Sequence, residues 1–386
     1  MISVKLKTLT PLHIGSGREL ARDVEFIEMK KEIGVIDERK ILELIGEENI
    51  GTWVAKIEKQ EPLLDYLKIR KPDVTLRDVS KYTMPLFANN FRMVKTLKEQ
   101  LHDGMGRPLI PGSSIKGAIR TVILNIVLKE LNHNWKEYEL KGIRENNLQY
   151  TSEKKLNSLR FTDKSIQSTI FGRDPNHDFM RFVKLGDALF SNEDLITLSV
   201  LSLNYLNGKT KRDEKLLQLT EAIGADAETT FRMKLDLDLW QKNIDFKEIR
   251  KNIPGFLKDL PSLFKALNSF TIDLLKGEIE FWKEDKNLKP VEDYMQECEK
   301  LLQTCKNCND NEAVLRLGHG SGWLFMTGGW IKNPDFINDQ GKDNLYDKII
   351  DKTRPANFRY KEHFFPKTRR MDEDGELMGF VKLTLE

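Results

Sequence analysis

Cysteine is scarce in this sequence: Cys298, Cys305 and Cys308 are the only three in 386 residues. So low and odd a count excludes a disulfide-stapled scaffold and fits a reducing compartment. No run of about 18 consecutive apolar residues occurs, which excludes a membrane-spanning helix. The longest apolar stretches, such as 121–128, are broken by polar residues. The opening residues Met-Ile-Ser-Val-Lys-Leu-Lys lack the apolar segment of a secretory signal, so a cytoplasmic protein is expected. Excess charge of either sign is also missing: 62 Lys and Arg stand against 60 Asp and Glu, net +2. A protein that coats nucleic acid indiscriminately is more basic, so any nucleic acid here should follow a limited track.

Several chemical signatures are absent too. There is no G-x-x-x-x-G-K-[ST], no H-E-x-x-H and no EF-hand ligand series, which disfavours nucleotide hydrolases, zinc peptidases and calcium sensors. Asp372-Glu-Asp-Gly375 reads as a hairpin turn, and no carboxylate pair suited to hydrolysis emerges. Cys305-Lys-Asn-Cys308 matches C-x-x-C, but a second pair is missing and His319 would have to complete a zinc site. Met295, Cys298, Leu301, Leu302 and Cys305 fall on one helical face, so the first two cysteines read as core and no metal or other cofactor is expected.

What is present points to an α+β chain of two or three domains, at about 100–200 residues each. Ile2, Val4 and Leu6 alternate with polar residues and form a strand; 24–29 and 34–37 form a strand pair. Residues 38–100 read as mostly helical, with breaks at Pro62, Pro72 and Pro85. Ile115, Ile119, Val122, Ile123, Ile126 and Val127 make an apolar stripe on a helix opened by Pro111-Gly112 and capped by Ser113 or Ser114. Residues 133–170 read as a polar excursion. Strands are expected at 180–190, 195–203, 231–239 and 381–385, with Asp236 and Asp238 facing solvent, and a helical block at 241–310.

Four constellations could carry chemistry. At Gly112–Arg120, helix N–H groups, two serine hydroxyls, Gly117, and Lys116 and Arg120 four residues apart are the parts of a phosphate cradle. The same residues also fit an ordinary capped amphipathic helix. Gly318-His-Gly-Ser-Gly322, with Gly328, Gly329, Trp323 and Trp330 nearby, can form an anion nest with stacking tryptophans, or a loop with two core tryptophans. Pro366-Lys-Thr-Arg-Arg370 is a small basic patch of a kind that is usually solvated surface. His13, in a glycine loop after the first strand, stands where an acid or base could act, without an obvious partner.

Taken together, Thr10-Pro-Leu-His-Ile-Gly-Ser-Gly17, Leu109-Ile-Pro-Gly-Ser-Ser-Ile-Lys-Gly-Ala-Ile-Arg120, Ile170-Phe-Gly172 with Phe182–Ala188, and Gly318–Gly329 resemble the RAMP superfamily of CRISPR-associated proteins. The length, the insert at 241–310 and the basic patch at 366–370 resemble its fifth Csm subunit family of type III-A systems. The resemblance implies two ferredoxin-like (RRM-like) domains with large helical insertions and a glycine-rich loop. These would be an N-terminal unit at 1–190 and a C-terminal unit at 191–386, the latter carrying the insert 241–310 and the loop 316–330. It implies a non-catalytic crRNA-binding subunit of the effector complex that caps the guide 3′ end and supports its maturation in antiviral defence. Its partners would be crRNA, other Csm subunits (especially the repeated backbone subunit) and host ribonucleases, with no membrane. Carried over by position, the RNA contacts would be Gly112, Ser113, Ser114, Lys116, Arg120, His13, Arg18, Gly318, His319, Gly320, Ser321, Lys367, Arg369 and Arg370. They would grip shape and phosphate, not base edges, since one subunit must serve many guides. Two alternatives remain open: a Cas6-like, metal-independent endoribonuclease using His13, and a protein-interaction scaffold docking through 241–310.

Overall fold

The computed structural model describes residues 1–59, 61–89, 91, 94–131, 148–150, 159–161, 164–206, 209–236, 239, 254–325 and 368–386. Seventeen strands lie within these residues. A five-stranded antiparallel sheet has the order β10(Val183–Leu185), β14(Glu228–Leu235), β1(Ile2–Thr8), β17(Phe380–Leu385), β15(Glu312–Arg316). A second sheet runs β2(Gly15–Ala21), β6(Thr96–Gln100), β13(Lys209–Ile223), β12(Leu195–Leu206), β5(Ser80–Phe87), β4(Glu32–Ile36), β3(Phe26–Met29), with β16(Thr368–Met371) paired to β12. Two short ribbons, β7(Leu109–Ile110) with β11(Ala188–Leu189) and β8(Leu148–Tyr150) with β9(Leu159–Phe161), complete the set.

The alternation in β1 does what its period demands. Val4, Leu6 and Thr8 are fully buried while the residues between them are half-buried. Against this sheet lies α5(Gly112–Leu131), whose Ile115, Ile119, Val122, Ile123 and Val127 enter one core with Val4, Leu6, Phe231, Met233 and Leu383. The helices α7(Leu260–Trp282) and α8(Lys289–Lys306) form the expected charged-outside block. Cys298 and Cys305 are buried in its core, where burial pushes the Cys305 thiol up to about 12 and so keeps it from acting as a ready metal ligand. Among the described residues no cluster of metal-ligating side chains occurs, and no helix is long and apolar enough to cross a membrane.

The structure corrects several expectations. The stretch 38–100 is not mostly helical throughout. Its first part forms α1(Glu38–Ile45), α2(Ile50–Glu58), α3(Leu63–Arg70) and α4(Leu76–Val79), but Ser80–Phe87 and Thr96–Gln100 are strands. Pro85 is tolerated because it sits at the last pair of the β4–β5 ladder, opposite Glu32. The excursion at 133–170 contains α6(Lys164–Phe171), while 132–147 and 151–158 lie outside the described residues. Asp236 does not face solvent: it is buried and accepts from Lys184 Nζ at 2.6 Å and Lys234 Nζ at 3.0 Å. Asp238 lies outside the described residues. The α+β class is observed, and both sheets draw strands from each side of the 190/191 division.

Candidate nucleic-acid interface

Three loops that are far apart in sequence are sewn together at one end of the five-stranded sheet. Leu12 exchanges both backbone hydrogen bonds with Ile223 at the end of β13 (2.9 and 2.8 Å). The N–H of His319 donates to the carbonyl of His13 (2.9 Å), and that of Leu317 donates to Gly379 (2.9 Å). Gly379 N–H donates to Pro11 (2.9 Å), and Phe380 N–H donates to Thr10 Oγ1 (2.9 Å). Arg316, buried between the rings of Phe325 and Phe380 (4.7 and 4.8 Å), holds the glycine loop from behind. It donates from Nε to Met378 O (2.9 Å) and from Nη2 to Gly320 O (3.1 Å).

Glycine is required in this junction. Gly318 has φ +79°, and a Cβ there would stand 2.6 Å from the carbonyl oxygen of His13. Gly318→Ala is expected to destabilise the protein by about 2–3 kcal/mol through the strained backbone and the clash. Chemical denaturation reads this, and an unchanged midpoint would contradict the packing described.

The junction borders a cleft of about 580 Å³. Arg18, Ser114, His319 and Ser321 line it, with Gly318 and a face of His13; Gly117 and Thr121 of α5 supply the opposite wall. The cleft therefore assembles parts of three of the sequence motifs. Arg18 is 64% exposed and is shared between Glu25 (2.9 Å) and Glu99 (3.5 Å). Lys98 on β6 also lines the cleft and makes no ion pair among the described residues. Arg370 lies against the glycine loop, its Cβ 3.4 Å from where a Gly320 Cβ would stand, and its Nη1 is buried without a partner among the described residues.

Other sequence assignments are corrected here. The helix tip at Gly112 is not an open cradle: Gly112 is buried, its N–H donates to Asp187 Oδ1 (2.8 Å), and Ser114 N–H donates to Pro111 O (2.9 Å). The protein's own carboxylate occupies the positive end of the helix. Ser113 is exposed at the tip, and Ser114 reaches the cleft. Lys116 and Arg120 do share a face, but it opens onto a separate groove with Arg173, Asp178 and Arg181. There Arg120 is committed to Asp178 (2.6 Å) and lies 3.7 Å over the Phe171 ring.

Arg369 is buried inside the helical block, pairing with Glu278 (Nη2 to Oε1, 2.8 Å), so it is not an RNA contact. Lys367, Gly328, Gly329 and Trp330 lie outside the described residues. Ser321 spends its hydroxyl on the carbonyl of Gly318 (2.7 Å). Two residues that matter were not singled out from sequence. Lys98 sits in a strand that had been read as helix. Arg316 carried one usable signal, a cation between apolar residues just before the glycine loop.

Both cleft histidines are neutral at physiological pH. His13, only 3% exposed, donates from Nδ1 to Glu221 O (2.7 Å). Burial pulls it down to about 4, outweighing that bond. His319, edge-on to His13 at 5.6 Å, is also drawn to about 4, first by burial and then by the charges of Lys98 and Arg370. Its Nε2 is buried without a partner among the described residues. The same positive field favours an anion in the cleft.

Residues 5–325 match the family model described as the RAMP superfamily. Among curated proteins, "CRISPR system Cms protein Csm5" of Methanocaldococcus jannaschii is 26% identical over 344 residues, covering 84% of this chain and 72% of that protein. The protein of the same name from Streptococcus thermophilus is 24% identical over 293 residues, covering 72% and 75%. Two solved structures are similar in fold with TM-score 0.65 and 23% identity. One is a chain of a Csm–crRNA–target RNA ternary complex of a type III-A CRISPR-Cas system, matched over 100% of both chains. The other is the crystal structure of T. onnurineus Csm5, matched over 98% of this chain and 99% of that one.

Proposed function

The chain belongs to the RAMP superfamily, and on that premise we propose that it is the crRNA-binding Csm5-type subunit of a type III-A effector complex, capping the guide 3′ end without cutting RNA. The name carried by both curated relatives supports this reading. The observation that carries it is the cleft lined by Lys98, with Arg370 against the glycine loop that borders it, both cations uncommitted to any carboxylate among the described residues. An arginine or lysine without a carboxylate partner is available to a phosphate; one already paired is not. The partners are then crRNA and neighbouring Csm subunits, with maturation of the guide end left to outside ribonucleases. The finer fold reading also belongs to this proposal: two ferredoxin-like units, each assembled from both halves of the chain.

The test is fluorescence anisotropy of the full chain with guide-length RNA. Lys98→Ala with Arg370→Ala should weaken binding about tenfold and flatten the salt dependence by about two phosphate contacts. Arg120→Ala, in the other groove and already paired with Asp178, should change it less than twofold. Equal loss from Arg120→Ala would move the RNA track to that groove.

The endoribonuclease alternative needs a general base, a form a neutral histidine has, and also a protonated general acid. With both histidines near 4, neither carries that proton at neutral pH. Purified protein is therefore expected to leave repeat RNA intact without metal; specific cutting abolished by His13→Ala would reverse this conclusion.

A further inference from the structure

A second cavity of about 320 Å³ adjoins the cleft, and Arg18 and Glu99 line both. Its character differs from the first. Glu25, Glu38 and Glu99 on its walls disfavour a phosphate. Buried Leu20, Val35 and Ile36 supply an apolar lining, and the rings of Tyr82 and His102 stand 5.3 Å apart at 40°. Flat, partly apolar walls beside an electropositive track suit a nucleobase whose phosphate stays outside.

The polar atoms set a chemical preference. The ring of His102 donates to the carbonyl of Gln100, and burial keeps it neutral. Its Nε2 is buried with no partner among the described residues and, in that tautomer, can only accept. Asn192 Oδ1 on the same cavity is a second buried acceptor without a partner among the described residues. Glu99 and Glu25 are already engaged by Arg18, Ser16 and Ala21, so these two orphan atoms are the acceptors left for a ligand. A ligand that fills this space should bring hydrogen-bond donors.

We propose that this cavity receives one base unstacked from the RNA strand in the cleft, and that it favours bases carrying an exocyclic amino group over uracil. Cytosine, adenine and guanine present an amino donor to the acceptors, whereas uracil presents carbonyls on either side of a single N–H. This rests on the RNA reading above. Phosphates then lie near Lys98 and Arg370, while Arg18 stands at the boundary between backbone and base.

The experiment compares 5′-labelled ten-nucleotide rC and rU by anisotropy on the full chain. These differ at the pyrimidine edge: cytosine carries an amino donor at C4 beside a bare N3, uracil a carbonyl at C4 beside an N3–H. Wild type should bind rC about fivefold more tightly, the weight of about one good hydrogen bond. His102→Phe keeps a ring against Tyr82 and removes Nε2; it should bring the ratio below twofold by weakening rC alone. Asn192→Ala, away from that ring pair, should shift the ratio in the same direction, with the melting temperature of each variant verifying its fold. Equal affinities in wild type, or a ratio retained in both variants, would overturn the base site while leaving the RNA reading intact. Binding of neither RNA would overturn both.

Discussion

Arg369→Met is expected to lower the unfolding free energy by about 3–5 kcal/mol, the usual loss when one partner of a buried ion pair is removed. Glu278 sits at the centre of this effect. Burial alone would raise its pKa, but Arg369 outweighs burial and holds the carboxyl below its ordinary range, helped by Tyr294, whose hydroxyl donates to Oε2 (2.7 Å). Without Arg369 the carboxylate is left inside an apolar block lined by Phe281 and Trp282, whose rings stand 5.0 and 5.7 Å from the guanidinium. The deficit should therefore shrink as pH falls and Glu278 takes up a proton. Replacing Glu278 by Leu and Tyr294 by Phe as well should restore part of the loss by removing the stranded carboxylate and hydroxyl, but not all of it, because buried Arg316 keeps its bonds to Met378 and Gly320 while losing Glu278 as a counter-charge. Urea denaturation at pH 5 and pH 8 measures all of this. A loss below about 1 kcal/mol for Arg369→Met would mean the pair is not sealed as described. The neighbouring Arg370→Ala should leave the denaturation midpoint nearly unchanged and act on RNA affinity. Two adjacent arginines thus have separable roles, because strand alternation sends one into the helical block and leaves the other beside the glycine loop.

Glu221→Gln is expected to flatten the fall in stability with rising pH. The carboxyl of Glu221 is wholly buried on β13, accepting from the N–H of Gln100 (2.8 Å) and lying 3.2 Å from the hydroxyl of Tyr82. Burial pushes it up to about 8 from an ordinary 4.5, against the bonds from Gln100 and Tyr82. The folded state therefore keeps a proton that the unfolded chain releases. Its contribution is fully present below pH 4.5 and is lost as pH rises through about 8. A glutamine can accept from Gln100 and donate to Tyr82 without ever ionising. The advantage of the variant over wild type should be small at pH 5 and reach the order of 3–5 kcal/mol above pH 8. A difference that does not vary with pH would remove Glu221 as its source. The two cleft histidines act with the opposite sign: each contributes stability above about pH 6.5 that is lost as pH falls toward 4. The comparison with wild type cancels their effect.

This carboxyl also bears on function. The backbone carbonyl of Glu221 holds His13, and its side chain fixes Gln100, whose Oε1 accepts from Ile14 N–H (2.9 Å). The loop that forms one wall of the cleft is thus tied to a buried neutral acid.

Much of the frame was legible from local pattern. Alternation at Ile2–Leu6 and the apolar stripe from Ile115 to Val127 are short-range signals with fixed periods, and both elements formed where those periods put them. Closely spaced glycines at 318, 320 and 322 signalled backbone that other residues resist, and all three adopt positive φ. The two strands within 80–100 escaped because Pro85 and a charged segment mask their alternation.

What only the tertiary structure decided is which cations are free. Arg120, Arg369 and Arg370 look equivalent in sequence. The first two are neutralised by Asp178 and Glu278, 58 and 91 residues away along the chain, while Arg370 has no carboxylate partner among the described residues. The first amide of the α5 tip, that of Gly112, was likewise claimed by Asp187, 75 residues distant. Periodicity and backbone freedom are properties of neighbouring residues and can be read along a line. Desolvation and charge pairing depend on what folding brings alongside, so they are set by the packed molecule.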